Sequence, residues 1–288
     1  NGLSAAIEEL EAIWLKRTFR NTFDGSPSGT FFRAIKMAIE KYMAGAEPSP
    51  TDDAIFDPTP LMRRIDTVIE KHGGLSPETR APSLHSIGVM TTMEGSERKP
   101  LLFLSTSKGI PEDAMQGASF EVYEHNRLTA KHAFASAALP SVLPPVEIHV
   151  QDSKVRLVDG GISINVPVDP AVRLGANRVI LVDVSGRDWW CDRYGKAHDS
   201  RPDWEVAAGS ETYCAMPPET FIVRCQKPLG PLLKKATGSS TSTFIQSVGP
   251  TWPLFKLLKS KLGEDVAYEA MSYVALHPEY SRALIERG

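Results

Sequence analysis

The triplet Asp159-Gly160-Gly161 closes the alternating run Val155-Arg156-Leu157-Val158, and it is the clearest chemistry-bearing pattern in the chain. A strand ending this way presents an acid at a sheet edge, and paired glycines leave the backbone free to take positive φ. Carboxylates ordinarily titrate near ~3.9, so such a group is ionised at neutral pH and accepts a hydroxyl proton within hydrogen-bond reach. The pattern therefore suits a general base. Asp and Gly also dominate plain turns, so the triplet needs its flanking sequence to read as functional. Asn165, six residues on, is expected to orient the loop that follows Asp159.

A serine nucleophile is best exposed on a strained strand-to-helix turn, where backbone N–H groups meet the oxyanion. No G-x-S-x-G pentapeptide occurs in the 288 residues. Gly25-Ser26-Pro27-Ser28-Gly29 has proline at its centre, and Gly2-Leu3-Ser4-Ala5-Ala6 lacks both the second glycine and a preceding strand. Ser4 is expected to cap the first helix instead. The seven histidines are scattered without an H-E-x-x-H or similar spacing, so no metal site is expected. His132 is weighed as a triad base and read instead as a satisfied core histidine. Cys191, Cys214 and Cys225 form neither a metal knuckle nor a disulfide framework and are read as unpaired thiols.

The elements that would carry Asp159 follow from periodicity. Two hairpins are expected, one from Ile87-Gly88-Val89-Met90-Thr91-Thr92 and Leu101-Leu102-Phe103-Leu104, the other ending at Asp159. An alanine-rich helix over 129–139 precedes the second. A short helix over 168–174 follows it, and then a nearly all-apolar strand over 178–184, expected to be buried on both faces of a parallel sheet. Apolar residues at three- and four-residue steps predict helices over 3–17 and 31–43, and a third that starts at Asp57-Pro58-Thr59-Pro60-Leu61, carries Leu61, Ile65, Val68 and Ile69 and is closed by Gly73 and Gly74; a further strand at 220–224 precedes a helical C-terminal third. The order is mixed α/β.

Composition narrows the function class. At 42% hydrophobic and 23% charged the chain is globular, and a net charge of −3 argues against a nucleic-acid partner. No apolar run reaches the ~20 residues needed to span a bilayer, and Glu8, Glu9 and Glu11 interrupt any signal-peptide core. The expected location is cytoplasmic or membrane-peripheral. Trp252, Leu254, Phe255, Leu257, Leu258 and Leu262 share a helical stretch with Lys256, Lys259 and Lys261, which suits contact with anionic lipid but is read first as core packing with solvated lysines. The Trp189-Trp190 loop has the same two readings.

Ala135-Ser136-Ala137-Ala138-Leu139-Pro140, then Pro144-Pro145-Val146, Asp159-Gly160-Gly161, Asn165-Val166-Pro167 and Gly175-Ala176-Asn177-Arg178-Val179 follow one another in fixed order. In these segments the chain resembles the patatin-like phospholipase family, with its AS-x-A-x-P helix end, PPV segment, D-G-G/A loop, and N-x-P before a GA-x-x-V strand. Weaker similarity extends to Leu229-Gly230-Pro231-Leu232-Leu233 and to the segment from Tyr273 to Tyr280. The resemblance implies a three-layer α/β/α sandwich with a mixed, largely parallel sheet, its core at 1–185, and a loop, strand and helical portion of the same domain at 186–288. It also implies a lipid or acyl-ester substrate, hydrolysis by a serine–aspartate dyad with Asp159 as base, and no cofactor. On this reading the chain begins just past the nucleophile turn, its first helix matches the family's post-serine helix, and the chain alone is inactive. The alternative is a patatin-fold protein that binds lipid or a partner without catalysis. A nucleotide-binding α/β domain would need G-x-G-x-x-G or a P-loop, and has neither. Two positions depart from the family: Leu143 stands for a phenylalanine and Thr92 for a strand-end aspartate. Neither is expected to touch the dyad; substrate preference is what they would shift.

Overall fold

The computed structural model describes residues 2–23, 54–71, 73–77, 83–111, 113–140, 142–151, 153–183, 219–224, 228–238 and 240–288. The helix expected over 31–43, the three cysteines and the Trp189-Trp190 loop lie outside the described residues. The chain divides into a largely helical unit built from its two ends and a unit that contains the strands.

In the helical unit, the first apolar repeat forms α1 (Gly2–Leu15), and α2 (Phe19–Thr22) follows. Ser4 does not cap α1. It lies inside the helix, which starts two residues before it, and its hydroxyl donates to Glu8 Oε1. Ile7, Leu10 and Trp14 form the expected stripe but remain about half exposed. The helical unit also includes 55–61, the start of α3 (Thr59–Lys71), whose remainder belongs to the unit with the strands; Asp57 starts α3 by accepting from both the backbone N–H and the hydroxyl of Thr59, and Gly73 and Gly74 end it with positive φ.

The sheet grows from the two hairpins. β1 (Ser86–Met93) pairs antiparallel with β2 (Pro100–Thr106), and β3 (Glu121–Glu124) joins β2 in parallel. β4 (Val146–Val150) and β5 (Ser153–Asp159) form the second hairpin, which attaches to β1 through β5, giving the order β3-β2-β1-β5-β4. The sheet is mixed, with flanking helices, consistent with a three-layer α/β/α patatin fold. Largely parallel pairing does not hold within this sheet: three of its four pairings are antiparallel, two of them tight hairpins that place consecutive strands side by side and the third joining β5 to β1.

Side chains leave β2 alternately on two covered faces. Leu101 and Phe103 pack with Ile148, Val150 and Leu157 and with Ala135 of α4 (Ala130–Ser136); Leu102 and Leu104 pack with Met90 and Phe120 on the other. Burial on both faces explains the unbroken apolar run of β2, and each leucine removed from water stabilises the sheet by ~1.5–3 kcal/mol. α4 is shorter than the alanine-rich stretch, since Ala137 leaves helical geometry and the chain turns toward Pro140.

After α5 (Val168–Arg173), β6 (Arg178–Asp183) and β7 (Glu219–Arg224) form a separate parallel pair. Leu181 is buried with Val168, but Ile180 is 76% and Phe221 68% exposed. The expectation of burial on both faces is therefore wrong for the described structure. The run is apolar on both sides, yet among the described residues packing covers the side of Leu181 and leaves Ile180 and Val182 exposed.

Five helices complete the helical unit: α6 (Gly230–Thr237), α7 (Thr241–Val248), α8 (Trp252–Leu262), α9 (Glu264–Ser272) and α10 (Pro278–Arg287). Their core is Leu233, Phe244, Val248, Phe255, Met271 and Tyr280. The buried carboxylate of Glu269 accepts the Leu229 and Gly230 N–H groups, neutralising the start of α6. Gly230 is small of necessity, because a Cβ there would lie 2.7 Å from the Glu269 nitrogen.

His132 is only partly the satisfied histidine that was expected. It is 5% exposed; its Nδ1 accepts the Thr129 N–H at the start of α4, so the proton of the neutral ring sits on Nε2, which has no partner among the described residues. The ring meets Phe103 and His125 edge-on. Burial first, then the neighbouring His125, pushes its pKa from 6.5 down to about 4. A depressed base binds its proton more readily in the unfolded chain, so folding stability is full above pH 6.5 and falls as pH drops toward 4. His125 and His277 are also lowered by burial and act in the same direction. The His132 contribution is about 2 kcal/mol lost between pH 7.5 and pH 5, measurable by urea denaturation at the two values. His132→Gln keeps an acceptor at the helix start without a titrating ring and should flatten that dependence; an equally steep slope in the variant would remove His132 from the account.

Candidate active site

Asp159 is the last residue of β5, and the chain turns at once into a short 3₁₀ helix, Gly160–Ile162. Backbone and side-chain hydrogen bonds hold this turn. The Asp159 N–H donates to the Ala138 carbonyl at 3.0 Å, and the Gly161 N–H donates to Asp159 Oδ1 at 2.7 Å. The Thr92 hydroxyl donates to the Asp159 carbonyl at 2.8 Å, and the Ile164 N–H closes on the Gly160 carbonyl at 2.9 Å. One carboxylate oxygen is thus fixed by the backbone. Among the described residues the other, Oδ2, has no hydrogen-bond or ion-pair partner.

The glycines do not serve the purpose read from sequence. Neither Gly160 nor Gly161 has positive φ. Gly160 is required for close approach, because a Cβ there would sit 2.3 Å from the carbonyl oxygen of Met90 on β1. At Gly161 a Cβ would meet only side-chain ends, Asn165 Oδ1 at 2.9 Å and Asp159 Oδ1 at 3.0 Å.

Asp159 and both glycines line an open cleft of about 490 Å³. β1 contributes Gly88, Val89 and Met90; α4 contributes Ala133 and Ser136; Ile164, Asn165 and Pro167 close the side after the turn. The walls are mainly apolar, with Asp159, Ser136 and Asn165 as the polar groups, a composition that suits an acyl chain held near one ionised carboxylate. Asn165 therefore stands beside the Asp159 turn, although among the described residues its side chain makes no hydrogen bond. Ser136 was missed as a site residue. Its signal was its place in the alanine-rich motif, and among the described residues its hydroxyl has no protein partner. Thr92 was expected to touch nothing in the dyad, and it holds the Asp159 carbonyl. His132 does not line the cleft, and Ser4 lies within α1 and on no strand-to-helix turn. Among the described residues no group of His, Cys, Asp and Glu is arranged to hold a metal ion.

The two glycines should respond differently to alanine. Gly160→Ala forces backbone apart and should cost about 1–3 kcal/mol in a denaturation measurement, whereas Gly161→Ala needs only two side-chain ends to move and should keep a midpoint near that of the parent. Equal midpoints for the parent and Gly160→Ala would show that the approach to Met90 is not as tight as described.

A model of the patatin-like phospholipase family matches residues 3–172. Searches of curated proteins and of solved structures find no match. The family match covers more than half of the chain and includes the alanine-rich helix end and the Asp-Gly-Gly turn, which the Asp159–Ala138 hydrogen bond joins at one cleft. The chain belongs to the patatin-like phospholipase family, a family of lipid acyl hydrolases.

Proposed function

We propose that this chain carries the general-base half of a serine–aspartate dyad that hydrolyses carboxylic esters of lipids. The observation behind this reading is the Asp159 carboxylate at an open, mainly apolar cleft, with Oδ1 held by the Gly161 N–H and Oδ2 left to accept a proton. The nucleophile is a serine on a G-x-S-x-G turn, a pentapeptide these 288 residues do not contain. Asp159 takes the hydroxyl proton as the serine oxygen attacks the ester carbonyl carbon, then returns it to the departing alcohol, leaving an acyl-serine. Asp159 next takes a proton from water, whose oxygen attacks the acyl carbon, and the proton passes back to the serine as the acid leaves. No cofactor enters the sequence, and the chain without that serine is inactive. Asp159→Asn keeps the turn's size while removing the base, and should lower ester hydrolysis by the polypeptide that carries the serine by ~10²–10⁴ with the fold intact. Parental activity in this variant would overturn the assignment.

A second reading, a patatin-fold protein that binds lipid or a partner without catalysis, is favoured by the missing pentapeptide. A strand followed by G-x-S-x-G in the coding sequence upstream decides for the enzyme.

Peripheral contact with lipid is part of the proposal. Among the described residues no helix is long and apolar enough to cross a membrane. On α8 Phe255 is buried in the helical core, while Leu254, Leu257 and Leu262 are 47%, 56% and 59% exposed. Lys259 is paired with Glu264, whereas Lys256 lies over the Trp252 ring and Lys261 is exposed without an ion pair among the described residues. Exposed leucines beside unpaired lysines suit an anionic bilayer, each lysine near such a surface contributing about 1 kcal/mol. The protein should co-sediment with vesicles containing phosphatidylglycerol more than with pure phosphatidylcholine, and Lys256→Glu with Lys261→Glu should abolish the difference. Equal sedimentation with both vesicle types would dismiss α8 as a membrane contact.

A further inference from the structure

Thr92 is fully buried in β1, at 0% exposure, and its hydroxyl meets two groups of the Asp159 turn: the Asp159 carbonyl at 2.8 Å and the Ser163 hydroxyl at 2.5 Å. Counting protons settles the direction of both bonds. A carbonyl oxygen can only accept, so the single Thr92 hydroxyl proton goes to Asp159, and Ser163 must donate its own to Thr92. The relay Ser163 to Thr92 to Asp159 ties the two ends of the 3₁₀ turn to one point on β1. Thr91 opposite Asp159 is the terminal pair of the β1–β5 register on this side, so beyond it the turn has no ladder to hold it in place.

We propose that Thr92 is a positioning residue for the Asp159 carboxylate: its buried hydroxyl fixes the carbonyl of Asp159, and with it the backbone that carries the reacting side chain. This rests on the reading of Asp159 as the base. The aspartate has two backbone anchors on the same residue, its N–H on Ala138 and its carbonyl on Thr92, and a third bond from Gly161 sets the side chain. Removing the Thr92 hydroxyl breaks the tie between the Asp159 carbonyl and β1, leaving that side of the residue held only by its own turn, while the cleft walls that contact the acyl chain stay as they are. The effect therefore falls on the chemical step and spares substrate binding.

The test compares Thr92→Val, which preserves shape without the hydroxyl, with Thr92→Ser, which preserves the hydroxyl without the methyl, in the polypeptide that carries the serine. Thr92→Val should lower kcat by at least about tenfold, since misplacement near 1 Å costs up to ~10²-fold, with KM within about twofold of the parent. Thr92→Ser should recover most of that kcat even if its denaturation midpoint is lower. Parental kcat in Thr92→Val, or a serine variant as slow as the valine variant, overturns the proposal. Should the valine variant fail to fold, Ser163→Ala removes only the outer donor and should lower kcat severalfold at unchanged KM; parental kcat there also overturns it. Asp159→Asn separates the two claims: activity that survives it defeats the base assignment, whereas an inactive Asp159→Asn beside a fully active Thr92→Val defeats only the role of Thr92.

Discussion

The backbone of Gly160 passes β1 at Met90 with no room for a side chain between them, and the position of the Asp159 carboxylate depends on that approach. It lets the chain leave β5 and turn sharply while staying against the sheet, so the residue before the turn stands at a strand end with its backbone tied on both sides. The aspartate is held without strong charge partners. Backbone N–H groups and a buried hydroxyl do the holding, and among the described residues no cation neutralises the carboxylate, which leaves an oxygen free to accept a proton.

The sheet supplies the rigidity this arrangement needs. β2 is covered on both faces, and β1 beside it carries both the Met90 carbonyl that Gly160 approaches and the Thr92 hydroxyl that binds the turn. α4 packs against β1, β4 and β5, delivers Ser136 to the cleft, and leads into the Ala138 carbonyl that anchors Asp159. The alanine-rich helix end and the Asp-Gly-Gly turn are thus parts of one contact set. Glu269 at the start of α6 repeats the principle in the helical unit, where a carboxylate and a glycine again make a close backbone approach possible.

Much of this was legible from residue order. Hairpins at 86–106 and 146–159 follow from period-two alternation and turn residues, the C-terminal helices from their spacing, and Asp159 from its place between a strand and two glycines. These are local properties, carried by residues a few positions apart. The errors were also local rules overruled from a distance: the all-apolar β6 was read as doubly buried, but burial depends on what packs against a strand, and Ile180 is exposed. Ser4 has the chemistry of a cap, yet the helix starts before it.

The chain's own letters determine that an acid ends β5, that only glycine follows it, and that alanines and prolines shape the segment from 135 to 145. Tertiary structure alone decided that Gly160 is there to admit the Met90 carbonyl rather than to take positive φ, that Ala138 meets Asp159, and that Thr92, 67 positions away, touches the same residue. Composition and periodicity describe neighbours along the chain. A buried hydroxyl and an absent side chain acquire their roles only from atoms that folding brings within a few ångströms.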